Sequence, residues 1–253
     1  MPLKPFADHF SAIAADYAAA RPTYPRELFA YLAELAPSRT RAWDCAAGNG
    51  QATLPLADQF EEVIATDASA EQIGQMPPHP RIRRYASPAE VSGLEGGAVD
   101  LVTVAQALHW LPLPAFWDET RRVLRAGGVV AVWTYGNQRV DQPDIDQRLE
   151  SFYRSVVGPY WPPERRLVET GYRTIAFPFA ELEPPGFDMA LEWSLPALLA
   201  YVRTWSATNR FLNERGFDPV IALGRELEPY WGEGVRRVRW PLSLRVGRSG
   251  GPG

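Results

Sequence analysis

The sequence predicts an α/β domain with a mainly parallel sheet. Three observations carry that expectation. Five short apolar runs are spaced through the first half of the chain, helix-like segments fit between most of them, and polar or glycine residues stand where the runs end. Ligands of open parallel sheets sit beyond the carboxyl ends of the strands. Asp44 and the residues after it, Asp67, Ser87, Ala105 to Trp110 and Trp133 to Tyr135 all fall at such ends.

The elements follow in order. Phe10, Ile13, Ala14 and Tyr17 have helical spacing, and Arg21-Pro22-Thr23-Tyr24-Pro25 ends that helix, because proline disfavours helical geometry in the residue before it. Leu28, Phe29, Leu32, Leu35 and Ala36 mark a second amphipathic helix, with Pro25 suited to its first turn. Strands are expected at Ala42 to Ala46, Glu62 to Asp67, Arg81 to Ala86, Ala98 to Val104 and Gly128 to Tyr135. A helix carrying Phe116, Trp117, Thr120, Val123 and Leu124 is closed by Gly127-Gly128. Later, Tyr172 to Glu183 looks strand-like and Met189 to Trp231 reads as a tryptophan-rich helical stretch. Val235 to Val246 alternates again, as an edge hairpin would.

With 253 residues, 46% of them hydrophobic, the chain can bury one large core or a core plus a cap. A net charge of −4 disfavours a general nucleic-acid binder. The single cysteine, Cys45, excludes an internal disulfide framework and a multi-cysteine zinc site, and reads as buried packing. No other spacing suggests a metal. With no basic leader and no apolar run of ~20 residues, the expectation is a cytoplasmic protein without a membrane partner, as a monomer or homodimer.

Function is carried by Asp44-Cys45-Ala46-Ala47-Gly48-Asn49-Gly50-Gln51, a strand end running into a small-residue turn. Glycine admits positive φ and close approach of a ligand to the main chain. Asp67, at the end of the next strand, is placed to receive two ribose hydroxyls. Dinucleotide sites want a small residue at the third glycine position so that the helix meets a pyrophosphate closely; Thr53 stands there instead. An NAD-type oxidoreductase is therefore the rival reading, and a binding module without turnover a second.

Asp44-x-Ala46-x-Gly48-x-Gly50 resembles motif I of the class I S-adenosylmethionine (SAM) methyltransferases, with Ala46 replacing a frequent glycine. Ser87-Pro88-Ala89-Glu90, Val99 to Val102, Ala105 to Trp110 and Arg122 to Gly128 continue the match in order, so that it covers about Phe6 to Asn137. The N-terminal segment, with Tyr17, Arg21, Pro22, Tyr24 and Pro25, looks most like the trans-aconitate methyltransferase-like branch. The resemblance implies a Rossmann-like, mainly parallel seven-stranded sheet with an antiparallel C-terminal strand, helices on both faces and a helical cap insert. It divides the chain into an N-terminal helical cap (1–40), a SAM-binding core (41–140), a helical connection (141–171), C-terminal strands (172–247) holding the insert (about 187–232), and a disordered tail (248–253). It implies SAM as methyl donor, S-adenosylhomocysteine (SAH) as product, no metal, and a small-molecule acceptor with a carboxylate or hydroxyl oxygen. Asp44, Ala46, Gly48, Asn49, Gly50, Asp67, Ala68, Ser87, Pro88, Ala89, Ala105 and Gln106 would line the cofactor.

Three roles are open to His109: general base, polar lining of the pocket, or structural contact. Tyr17 and Arg21 are candidates to close over the cofactor, Tyr17 with a catalytic part; the alternative is a buried face and a surface charge. Trp110, Trp133 and Tyr135 would give an aromatic wall favourable to a sulfonium, or core. In the insert, Tyr201, Trp205 and Arg210, with Arg203 beside them, are candidate substrate contacts; for any single arginine the competing reading is a charged surface helix.

Overall fold

The structure is a computed structural model and describes residues 22–250. The N-terminal helix expected around Phe10 to Tyr17 therefore lies outside the described residues, and so do Tyr17 and Arg21.

Parallel strands β1 (Arg41–Cys45), β2 (Glu62–Asp67), β3 (Ile82–Ala86), β4 (Val99–Ala105) and β5 (Leu124–Tyr135) lie in the order β3-β2-β1-β4-β5. β1 and β4 are buried along nearly their whole length, as strands covered on both faces are, and Asp44, Asp100 and Thr103 are buried with their apolar neighbours. β3 ends the sheet and carries Arg83 and Arg84 on an exposed stretch, which discourages further strand pairing.

Helix α1 (Arg26–Leu35) buries Leu28, Phe29, Leu32 and Ala33, with Pro25 as its N-cap rather than inside it. These side chains share one core with Trp133, Tyr135 and the aromatic residues of the C-terminal half. The opposite face of the sheet packs Trp43, Val102, Val104 and Val130 against Phe116 and Trp117 of α4 (Leu113–Val123). The short helices α2 (Thr53–Ala57) and α3 (Ala70–Gly74) follow β1 and β2. Pro55 falls in the first turn of α2, where a missing N–H costs no helical bond.

The C-terminal half holds the expected antiparallel C-terminal strand but departs from the expected pattern around it. Arg236–Arg248 is one strand, β9, not a hairpin, and it is not an edge. Its second part runs antiparallel to β5, with Tyr135 opposite Leu242 and Val129 opposite Arg248. Thirteen residues long, it outreaches β5 and gathers three short strands, β6 (Arg139–Val140), β7 (Ala180–Leu182) and β8 (Asp188–Trp193). The sheet thus has nine strands rather than seven. Of the stretch Tyr172 to Glu183, Ala180–Leu182 alone is strand. The insert opens with β8 before its helices α7 (Leu195–Arg203), α8 (Ser206–Arg215) and α9 (Val220–Trp231). Helices α5 (Pro143–Ser151) and α6 (Arg165–Glu169) form the preceding connection. Ser249, placed in a disordered tail by the sequence, is held by Gly128 O and Arg125 O.

Candidate active site

β1 delivers Asp44 and then turns sharply. Ala46 (φ 55°), Gly48 (φ 55°) and Gly50 (φ 94°) all lie in the left-handed region. The turn is fixed by Ala47 N–H to Thr66 O (2.9 Å) and Gly50 N–H to Ala47 O (3.0 Å). Ala46 holds its conformation against a steric cost of roughly 1–2 kcal/mol for a residue with a Cβ. A Cβ on Gly50 would stand 2.7 Å from Met76 Cγ, whereas among the described residues nothing lies within 4 Å of the same position on Gly48. Gly48 therefore leaves room for a ligand against the backbone.

Asp67, at the end of β2, faces this turn. One carboxylate oxygen accepts Gly48 N–H (2.9 Å), the other Ser69 N–H (2.8 Å). Burial raises its pKa, opposed by these two N–H donors. A carboxylate oxygen accepts more than one bond, so the fixed Asp67 retains acceptor capacity for two neighbouring hydroxyls. Ser87 N–H binds Asp67 O (2.9 Å) and brings Ser87 to Ala89 alongside, but the Ser87 hydroxyl is taken by Val91 O. Ala68 is exposed, Ala89 is buried, and Asn49 is half-buried on the turn.

Asp44 differs from a cleft-facing acid. It is fully buried, and its oxygens accept the hydroxyls of Thr53 (2.6 Å) and Thr103 (2.8 Å). Desolvation raises its pKa to about 6, against the opposing pull of those two bonds. Thr53, which the sequence offers mainly as evidence against a pyrophosphate, thus ties α2 to β1 through Asp44. Sequence reasoning missed this partnership; the one available signal was a hydroxyl residue just across the glycine turn from the acid.

At the end of β4, Gln106 takes φ 58°. Its carboxamide oxygen accepts Thr134 Oγ1 (2.7 Å) and Tyr135 N–H (2.8 Å), and its Nε2 donates to Tyr135 O (3.2 Å). The side chain is therefore committed to β5. Trp133 and Tyr135 come together with Tyr24, whose ring stands edge-on to theirs at 5.6 and 6.3 Å. Trp110 is not part of that group. It is 39% exposed and lies 4.7 Å from the His109 ring, so the three aromatics do not form one wall.

His109 sits in a short 3-10 turn, Leu108–Trp110, with Nδ1 2.8 Å from the Tyr172 hydroxyl. Burial, with the nearby positive charge of Arg165 adding to it, lowers its pKa to about 4. The imidazole is neutral at neutral pH.

The insert residues are mostly occupied. Tyr201 is buried among Trp193, Trp205 and Trp240, and Trp240 Nε1 donates to its hydroxyl (3.1 Å). Trp205 packs against Phe152, Tyr153 and Trp161. Arg210 donates to Tyr160 O (3.3 Å), and Arg203 pairs with Asp218 (2.8 Å). These aromatics build a core that joins the insert to the sheet. Arg165, which sequence reasoning did not single out, is the arginine brought near His109.

Residues 43–132 match a family described as a methyltransferase domain. A Dictyostelium discoideum protein named as a methyltransferase is 33% identical over 225 residues, 88% of this chain and 86% of its own length. The chain belongs to the class I SAM-dependent methyltransferases. A solved structure from Anaeromyxobacter dehalogenans, described as a type II methyltransferase, is 45% identical, covers 92% of this chain and 99% of that one, and superposes with a TM-score of 0.87. A Saccharomyces cerevisiae protein named as an S-adenosylmethionine-dependent methyltransferase is 29% identical over 149 residues, 55% of this chain and 50% of its own. The cofactor of the family fits the geometry: space over Gly48 clear of the other described residues, and a fixed Asp67 with spare acceptors. Among the described residues no group of three His, Cys, Asp or Glu is placed to hold a metal, and no helix is long and apolar enough to cross a membrane.

Proposed function

We propose that this methyltransferase methylates an oxygen of a small-molecule carboxylic acid, with Asp67 holding the cofactor ribose and the Gly48 to Gly50 turn lying against the cofactor. Bound SAM would supply a methyl group on a positively charged sulfur, and an acceptor already ionised as a carboxylate would have no proton to give up.

The observation that carries the choice of acceptor is the state of His109. With its pKa lowered to about 4 and Nδ1 engaged by Tyr172, it is a poor proton acceptor. Removing a proton from a phenol of ordinary pKa near 10 would cost about 8 kcal/mol across that gap. A carboxylate is already ionised at neutral pH and needs no base, so the contribution asked of the protein is alignment, which supplies roughly 7–11 kcal/mol. His109 then acts as a neutral polar lining of the pocket. The likeness to the trans-aconitate branch, carried by residues 10–25, points the same way.

SAH production tests this with matched acceptors: benzoate, succinate, citrate and trans-aconitate against phenol and catechol. Turnover with acids and not with phenols is expected. Turnover confined to phenols would overturn the carboxylate reading, and His109 would return as a candidate base.

A further inference from the structure

We infer that Arg165 is the residue that recognises the anionic group of the acceptor, at a subsite formed with Asn137, Tyr153 and Trp161; this rests on the carboxylate reading above. A guanidinium carries five N–H donors in a rigid fork. In Arg165, Nε donates to the Tyr153 hydroxyl (2.8 Å) and Nη2 to Asn137 Oδ1 (2.8 Å), while Nη1 has no partner among the described residues. The guanidinium lies over the Trp161 ring, 4.6 Å from its centroid, and 5.5 Å from that of Tyr153. Stacking and two neutral acceptors hold the fork in place.

None of these contacts neutralises it. Arg41, Arg122, Arg203, Arg239 and Arg245 each lie within 4.0 Å of a carboxylate. Arg165 has no such partner among the described residues. The nearby acid, Glu169, accepts the Tyr153 hydroxyl proton instead and stands one side chain away from the guanidinium. A half-buried, oriented and unpaired guanidinium beside a catalytic-end histidine is what recognition of a carboxylate requires, because planar N–H pairs and planar oxygens match.

Position agrees with chemistry. Asn137 stands two residues beyond the end of β5, and α6, which Arg165 opens, packs against the Leu108–Trp110 turn. The subsite therefore overlooks the carboxyl ends of β4 and β5, where ligands of this sheet bind. For a diacid, one carboxylate would rest on Arg165 while the other presents its oxygen for methylation.

The test compares wild type with Arg165→Met and Arg165→Lys, using SAH production from the acid that wild type methylates best in the panel above. SAH affinity is measured by calorimetry on all three. For Arg165→Met the KM for the acid should rise by about 10- to 100-fold, the factor carried by hydrogen bonds to charged groups. Its SAH affinity should be unchanged. Arg165→Lys should recover part of the loss, since charge is kept and the fork is not. An unchanged KM in Arg165→Met, with acids still methylated, refutes the role of Arg165 while leaving the carboxylate reading intact. Loss of SAH affinity in both variants would make Arg165 a packing residue and overturn the inference. If wild type methylates no acid, the carboxylate reading fails first and this inference with it.

Discussion

Asp44→Asn removes a charge from a position that water does not reach. In the folded chain the Asp44 pKa rises from 3.8 to about 6, because burial outweighs the two threonine hydroxyls. The folded state therefore binds the proton more tightly than the unfolded state. The associated stability is fully present below pH 3.8 and is lost as the pH rises through about 6. A gap of about 2 units is worth about 3 kcal/mol at neutral pH. Asparagine keeps the shape and an acceptor oxygen for Thr53 or Thr103 but carries no charge, so it should relieve most of that cost. The assay is urea denaturation of both proteins without cofactor, at pH 4.5 and pH 7.5. Asp44→Asn should be the more stable protein at pH 7.5 by up to about 3 kcal/mol, with melting raised by several degrees, and the difference should shrink at pH 4.5. Its thermal response to SAH should fall, since Asp44 fixes α2 through Thr53 just across the glycine turn that would lie against the cofactor. A variant less stable at pH 7.5, or a difference independent of pH, would refute the assignment of a strained, ionised Asp44.

Other sites give sharper single outcomes. Glu119 accepts Arg122 Nε and Nη2 (both 2.7 Å), Ser92 N–H (2.8 Å) and the Ser92 hydroxyl, which together hold its pKa at about 2 against an ordinary 4.5. Glu119→Gln should cost about 1.5–3 kcal/mol in denaturant titrations at pH 7. Because a depressed pKa gives stability above 4.5 that is lost as pH falls toward 2, the variant should also lose less on acidification than wild type. Gly50→Ala meets both a positive φ and Met76, so a loss of at least about 1 kcal/mol is expected, with SAH no longer raising its melting temperature. With His109 at a pKa of about 4, kcat/KM should show no inflection near pH 6.5; an inflection there that vanishes in His109→Asn would restore the base.

What the sequence made legible is local. Strand ends were found within a few residues because buried parallel strands are short apolar runs bounded by glycine and polar residues, and Glu62–Asp67 was placed to the residue. The Gly48 and Asp67 arrangement followed from residue types whose backbone chemistry is narrow. The resemblance implied the antiparallel C-terminal strand, and β9 is that strand; what was not legible is its length and its further partners. Period-two alternation at Arg236–Arg248 gives no sign of which strands lie alongside, and a single long strand was read as a hairpin. Met189, Leu191 and Trp193 alternate as a strand does, a signal masked by the tryptophan content of the region. Composition likewise cannot tell an aromatic pocket from an aromatic core: Tyr201 and Trp205 proved to be packed against neighbouring rings. The settings of Asp44 and Arg165 are illegible in the sequence for a related reason. Whether a charge is enclosed by threonines or left without an acid depends on residues distant in sequence, Thr103 for one and Asn137 for the other.

The most direct test of the account is the chemical bond that carries the transferred methyl group. SAM labelled in its methyl carbon is incubated with the protein and the carboxylate panel, and the product is treated with mild alkali. Methylation of a carboxylate predicts label in a small-molecule ester that alkali releases as methanol, in step with SAH formed. Label retained in an alkali-stable ether, amine or carbon–methyl product would contradict the account.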